Sequence, residues 1–185
     1  MDRESELIWE IFNSKINYSP ETEAGNPGIT YKTQKFEVDG ITYIIKLMEM
    51  NVGDWFGEDD SAKKLIEITF GRLNEKGEPQ NSYTVKTTKN PIKVFSYVIN
   101  FVRQYIETES PSMITFFAEH DYDLGDGVSD RDRLYNMFQQ KLISNYPQYE
   151  LMPEDILHDL AEDGEYYDDQ FNSWGLIDKR DLNRL

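Results

Sequence analysis

The chain contains no cysteine, and this absence removes several kinds of chemistry. None of its 185 residues offers a thiol that could form a disulfide, bind zinc as a thiolate or act as a nucleophile. Its two histidines, His120 and His158, lie far apart in the sequence and match no zinc-binding pattern. The sequence therefore predicts neither a disulfide framework nor a metal centre.

Long apolar runs are also missing. No stretch approaches the roughly 18 apolar residues that a membrane-spanning helix needs, so no membrane partner is expected. The opening segment MDRESELIWEIF carries charges where a signal peptide has its apolar core. We therefore expect a cytoplasmic protein, or one made in a cytoplasm and packaged later.

Positive charge is scarce in this sequence. Lys and Arg number 19 against 35 Asp and Glu, which gives a net charge of −16 at pH 7. Such a field repels nucleic-acid phosphates and favours partners that present a basic surface. We expect a protein partner with a basic surface and no direct nucleic-acid binding. The alternative is that the charge only keeps the protein soluble.

The residues that are present have the pattern of one α+β domain. Aromatic residues make up 14% of the chain, which argues against disorder. Alternating apolar residues predict strands over 29–38 and 41–50, joined by a type I′ turn at Asp39-Gly40. The other predicted elements are helices at 4–13, 91–106, 131–143 and 154–161, strands at 65–73, 82–88 and 113–120, a short strand within 145–154, and a loop at 19–28. This order predicts an antiparallel-rich mixed sheet flanked by helices.

The C-terminal part has no clear period. We expect a main domain over residues 1–153 and an acidic, aromatic-containing extension over 154–185 that packs on it or trails from it. Within the extension, Trp174, Leu176 and Ile177 are the side chains that could dock on the domain.

Residues 91–146 resemble an uncharacterised family of small proteins from tailed bacteriophages. The shared pattern is a helix of the type VFxxVIxxI, a strand that ends in F-x-A, and a helix that opens with S-R-x-x-L-Y. Here Arg131 and Leu134-Tyr135 match the last motif, and Asp130 stands where the family usually has Ser. The resemblance covers about a third of the chain and implies a phage origin without naming an activity.

The order of elements also resembles the GCN5-related N-acetyltransferase (GNAT) fold. That resemblance implies a sheet splayed by a bulge, into which acyl-CoA enters, with its pyrophosphate on the amides of a Gly-rich loop before the central helix. The corresponding loop, TVKTTKNPIKVF, has no glycine, and Pro91 removes one amide. If acyl-CoA binds, Lys89, Asn90 and Ile92 would hold it. Otherwise the resemblance implies a GNAT-like scaffold with a degenerate cofactor site and no cofactor.

The same resemblance assigns candidate catalytic residues. In the GNAT pattern a tyrosine of an L-Y pair after the fifth strand protonates the leaving thiolate, and Tyr135 occupies that place. Glu119 or His120, at the end of the predicted fifth strand, would be the general base. For Tyr135, packing on an amphipathic helix is the alternative role. An edge histidine paired with Asp121 is the alternative for His120.

The loop 121–130 crowds carboxylates around two glycines, a composition that Ca²⁺ favours; they are Asp121, Asp123, Asp126 and Asp130. Gly125 and Asp126, however, stand where an EF-hand has Asp or Asn and then Gly, and the twelfth residue is Asp132 instead of Glu. The sequence favours a solvated acidic loop over a cation site.

These observations predict a phage-type accessory protein that binds another protein through its acidic loops and C-terminal segment, on a degenerate GNAT-like scaffold. The first alternative is an active acyl-CoA-dependent N-acyltransferase. Two further alternatives are a structural component of the virion and an acidic inhibitor that mimics DNA.

Overall fold

The computed structural model describes residues 16–53, 63–78, 91–119, 130–162 and 171–184. These residues form seven strands and four helices. The elements are β1 (Glu21–Ala24), β2 (Ile29–Val38), β3 (Ile41–Asn51), β4 (Lys64–Arg72), α1 (Pro91–Glu109), β5 (Met113–Glu119), α2 (Asp130–Asn145), β6 (Tyr149–Leu151), α3 (Glu154–Glu162), β7 (Phe171–Asp178) and α4 (Lys179–Leu182).

The strands form one mixed sheet in the order β1-β2-β3-β4-β5-β7-β6. The β1–β2, β5–β7 and β6–β7 pairings are antiparallel, and β4–β5 is parallel. A parallel pair needs a crossover connection, and the long helix α1 lies between β4 and β5 in the chain. The predicted α+β class with an antiparallel-rich mixed sheet is confirmed. No helix in the described ranges is both long and apolar enough to span a bilayer.

The chain divides into two compact units. The first contains residues 1–48 and 69–110, and the second contains residues 49–68 and 111–185. Strands β3 and β4 each run through the boundary.

In the first unit, α1 packs on β2. The helix begins at Pro91, as predicted, because the missing amide of proline has no partner in a first helical turn anyway. The ring of Tyr97 stacks on Phe36 of β2 with centroids 4.8 Å apart. On the same side of β2, Lys32 lies over the Tyr105 ring at 4.8 Å and pairs with Glu109 at 3.0 Å. The β2–β3 turn confirms the predicted hairpin, with φ of 52° at Asp39 and 77° at Gly40.

In the second unit, the core joins strands and α3. Its buried members include Leu65, Met113 and Ile177 from three strands, and Ile156, Leu157 and Leu160 of α3 pack against them. Helix α3 and the short strand β6 confirm the elements predicted at 154–161 and within 145–154.

Two segments differ from the predictions. The predicted loop at 19–28 contains β1, a fully exposed edge strand whose sequence ETEA has no apolar alternation to reveal it. The segment without a clear period contains β7, which lies inside the sheet between β5 and β6. Every residue of β7 from Trp174 to Asp178 is buried, so an alternating pattern could not arise. Both α3 and β7 belong to the second unit.

Several predictions fall outside the described residues. They are the opening helix at 4–13, the strand at 82–88 and residues 121–129 of the acidic loop.

Candidate functional site

Two of the predicted catalytic residues, Glu119 and Tyr135, lie in the second unit. Glu119 is the last residue of β5, and its backbone pairs with Phe171 of β7. Tyr135 lies on the following helix, α2. His120, Lys89 and Asn90 fall outside the described residues. Ile92 lies in the first turn of α1, half-buried, and belongs to the first unit.

Tyr135 is held in a stack of aromatic rings. Its centroid lies 4.5 Å from that of Trp174 and 5.2 Å from that of Phe116, with interplanar angles of 23° and 21°. Phe138 packs on Phe116 from the next turn of α2, at 5.4 Å. The Tyr135 residue is only 5% exposed. Rings at these distances attract one another and exclude water, so the stack anchors α2 to β5 and β7.

Polar bonds fix the other components of this stack. The indole Nε1 of Trp174 donates to Oδ1 of Asn136 at 3.2 Å, which satisfies a polar group on a buried side chain. The Gln139 amide donates to the Gly175 carbonyl oxygen at 3.3 Å. The ring of Tyr135 therefore has one packed position. Packing, the alternative role for this tyrosine, accounts for its burial, and its catalytic role stays a prediction.

The pairing of β5 changes along its length. Parallel pairing with β4 runs from Leu65–Met113 to Ile68–Phe116. From Phe117 to Glu119, β5 is paired with β7 alone among the described residues. One side of the strand thus has no described strand partner near the predicted catalytic end.

Two acidic segments of the second unit are attached to paired residues of β5 and β7. Residues 120–129 follow Glu119, and residues 163–170 precede Phe171. Glu119 and Phe171 are paired across β5 and β7, so the two attachment points are neighbours. The first segment carries three Asp, the second carries three Asp and one Glu, and neither contains Lys or Arg.

A second polar cluster lies at the C-terminal end of β7, and sequence reasoning did not identify it. Asp178, 4% exposed, caps α4 by accepting a hydrogen bond from the Arg180 amide at 2.8 Å. The Arg180 guanidinium adds bonds of 3.0 Å from Nε and 2.7 Å from Nη2. These side-chain bonds lower the pKa of Asp178, and they outweigh burial, which raises it.

Neighbouring groups extend this cluster. Asp181, 2% exposed, forms an ion pair with Lys63. The Tyr149 hydroxyl donates to the Pro111 carbonyl oxygen at 2.6 Å. Burial, followed by the charge of Asp178, raises the pKa of Tyr149 well above its ordinary value. Each of these groups already bonds to the protein, so the cluster acts as an anchor for the C-terminal segment. Its only sequence signal is Asp178 ahead of a short helical turn.

Within the described ranges, no group of three or more His, Cys, Asp or Glu residues is placed to hold a metal ion. No protein-family model, curated protein or solved structure matches this chain. Its function must be inferred from the charge and geometry of its own residues.

Proposed function

We propose that this chain is a binding protein that engages a basic surface of another protein through the acidic end of its second unit. The binding surface consists of residues 120–129 and 163–170, which we call the acidic end. We further propose that the chain is an accessory protein of phage type, as its resemblance to the tailed-phage family implies. Its scaffold would be GNAT-like with a degenerate acyl-CoA site, as the resemblance to GNAT proteins implies.

The pairing of Glu119 with Phe171 carries this proposal. It places the attachment points of two uniformly acidic segments on adjacent strand ends. Like charges attached so close together repel one another in the free protein. A basic partner relieves that repulsion on binding and is steered toward the site over about 8 Å at physiological ionic strength.

Aromatic residues within the same segments support protein binding over simple solubility. Tyr122 lies among the aspartates of the first segment, and Tyr166 and Tyr167 lie within the second. Tyrosines supply much of the binding energy at the centres of protein interfaces, whereas surrounding charges set the association rate and specificity.

Charge neutralisation confined to the acidic end tests this proposal. The partner is first captured from the source-cell lysate at low salt and identified, and its affinity for the purified chain is then measured. Asp163→Asn, Glu165→Gln, Asp168→Asn and Asp169→Asn together should weaken binding at least tenfold and reduce its salt dependence. The control neutralises four acidic residues elsewhere, Glu75, Glu107, Glu154 and Asp159. Equal losses in both variants would contradict a localised site and leave only a general charge effect.

An acyl-CoA-dependent N-acyltransferase is the second candidate function. It is favoured by the position of its predicted general acid, Tyr135, on the helix that follows β5 and against Phe116 of that strand. The resemblance assigns this position to the tyrosine that protonates the leaving thiolate. Unfolding temperatures with and without millimolar acetyl-CoA separate the two functions. A ligand at about 100 times its Kd would add about 2.7 kcal/mol, a rise of several degrees. An unchanged temperature would exclude this candidate at that concentration.

A further inference from the structure

One hydrogen-bonding edge of β2 pairs with no described strand over half its length. Strand β1 pairs with β2 only at Thr30–Thr33, and β2 continues to Val38. Among the described residues no strand pairs with this side of β2 from Gln34 to Val38. A groove of about 590 Å³ runs there, lined by Thr33–Glu37 together with Ile16, Ser19, Glu21 and Tyr97.

The described residues just before β1 do not pair with this edge, because their own bonds hold them to one side. The Gln34 side chain accepts from the Ser19 amide at 2.9 Å and donates to the Asn17 carbonyl oxygen at 2.6 Å. The Tyr18 ring packs on Phe101 of α1 at 5.1 Å. Residues 17–19 therefore lie against the α1 side of β2, and within the described ranges they leave its backbone edge unpaired.

The direction of each backbone group on this edge follows from the register. The Gly25 amide donates to the Ile29 carbonyl, so β2 residues with odd numbers point their N–H and C=O groups toward the β1 side. The two-residue turn at Asp39-Gly40 leads to the same result, because Val38 closes the hairpin with Ile41 and must face β3. The N–H and C=O groups of Lys35 and Glu37 consequently point into the groove.

The side chains on this edge alternate between two faces. Phe36 faces α1, where it stacks on Tyr97, so Lys35 and Glu37 lie on the opposite face. Both are exposed, and within the described residues neither has an ion-pair partner. A basic and an acidic residue are thus placed symmetrically on either side of Phe36.

We propose that the open edge of β2 pairs with the same edge of a second copy of this chain, antiparallel and centred on Phe36. Lys35 then lies opposite Glu37 of the second copy, and Glu37 lies opposite Lys35 of the second copy. Lys35 and Glu37 occupy hydrogen-bonded positions, because their backbone N–H and C=O groups point outward from the edge. The two Phe36 residues form the non-hydrogen-bonded pair between them. Each cross-strand pair joins opposite charges at the separation where such pairs attract.

The length of the open edge fits this arrangement. It is limited at one end by β1, which begins opposite Thr33, and at the other by the turn at Asp39. Residues 34–38, whose β1-side edge pairs with no described strand, are symmetric about Phe36, as a two-fold axis requires. A second copy is favoured over an unrelated strand because this edge is complementary to itself in both charge and hydrogen bonding. The net charge of −16 opposes association, but screening confines that repulsion to about 8 Å at physiological salt.

Charge reversal at two positions tests the dimer. Sedimentation equilibrium of the full chain over about 1–500 µM should show a reversible dimer. Lys35→Glu places like charges opposite each other twice, as does Glu37→Lys, and each should weaken dimerisation at least tenfold. The double variant Lys35→Glu, Glu37→Lys restores both pairs and should return the dissociation constant to within about threefold of the original.

Circular dichroism and unfolding temperatures of all variants confirm that the monomer fold is retained. A monomer throughout the concentration range would overturn the proposal and leave the edge open to a strand of another protein. A dimer that the single reversals do not weaken, or that the double variant does not restore, would place the interface elsewhere. These outcomes are independent of the acidic end, whose residues are unchanged in every variant.

Discussion

The carboxylate of Asp178 and the guanidinium of Arg180 form a two-point contact across two residues of chain. The Arg180 Nε donates to Oδ1 at 3.0 Å and Nη2 donates to Oδ2 at 2.7 Å, while the Arg180 amide donates to Oδ1. The arginine side chain is 80% exposed and the aspartate side chain 5%. Solvent screens the charge on the arginine, so the cap that Asp178 provides to α4 contributes most of the stability.

Two replacements of Asp178 should separate the contribution of its helix cap to stability from the contribution of its charge. Asp178→Asn retains an oxygen that can cap α4 but loses the ionised acceptor, and we expect it to lower the free energy of unfolding by about 1 kcal/mol. Asp178→Ala removes both and should cost about 1 kcal/mol more. Urea denaturation measures both values. Asp159→Asn, on the exposed face of α3, is the control and should stay within about 0.5 kcal/mol.

The same site predicts how stability depends on pH. Because the folded-state pKa of Asp178 is lower than its unfolded value, its charge stabilises the fold fully above about pH 4. That contribution is lost as the pH falls through the folded pKa. The difference in unfolding free energy between the original chain and Asp178→Asn should therefore be constant from pH 7 to 5 and shrink below pH 4. A difference that grew on acidification would contradict the direction of the shift.

A Tyr135 series should distinguish packing from catalysis. Tyr135→Ala empties the centre of the Phe116–Trp174 stack and should cost about 3–5 kcal/mol, the loss typical of large aromatic truncations. Tyr135→Phe keeps the ring and should cost far less. Denaturation curves and near-ultraviolet dichroism measure both. A Tyr135→Phe variant that folds normally but loses acyl transfer would establish the acyltransferase candidate instead.

Gly175 marks the closest approach between β7 and α3. An added Cβ would lie 2.7 Å from Cδ2 of Leu157 and 3.1 Å from Cβ of Met152. Gly175→Ala should therefore destabilise the chain by about 1–3 kcal/mol through overpacking. Leu157→Ala creates room, so Gly175→Ala should cost less in that background. Equal costs in both backgrounds would show that the Leu157 side chain moves aside freely.

The sequence predicted local elements better than it predicted their place in the sheet. The β2–β3 hairpin was predictable because Asp39-Gly40 supplies two positive φ angles between alternating segments. The edge strand β1 has no apolar alternation, and pairing with β2 alone makes it a strand. The interior strand β7 is buried without alternation, so its position depends on β5 and β6, which lie distant in sequence.

The candidate site was only partly predictable, for a related reason. Tyr135 and Glu119 were identified through the resemblance to the GNAT fold, which relies on local features, an L-Y pair on a helix and the end of the preceding strand. That the two acidic segments are attached to neighbouring residues depends on the pairing of Glu119 with Phe171, a contact across 52 residues. The open edge of β2 likewise depends on where β1 ends its pairing, which the residues of β2 do not reveal.

A chain that ends at Pro153 should lose the second unit, because it lacks β7. That strand pairs with β5 from Met113 to Glu119 and with β6, and its Leu176 and Ile177 are fully buried. We expect this truncated chain to lose cooperative unfolding and to expose apolar surface that binds a hydrophobic dye.

The matched control ends at Asn183, which retains β7, α4 and the Asp178–Arg180 contact. This chain should unfold cooperatively at nearly the original temperature, since it lacks only Arg184 and Leu185. If the chain that ends at Pro153 instead unfolded like the control, residues 154–185 would be the separable extension that the sequence suggested. The central position of β7 in the sheet would then contribute little to the stability of the fold.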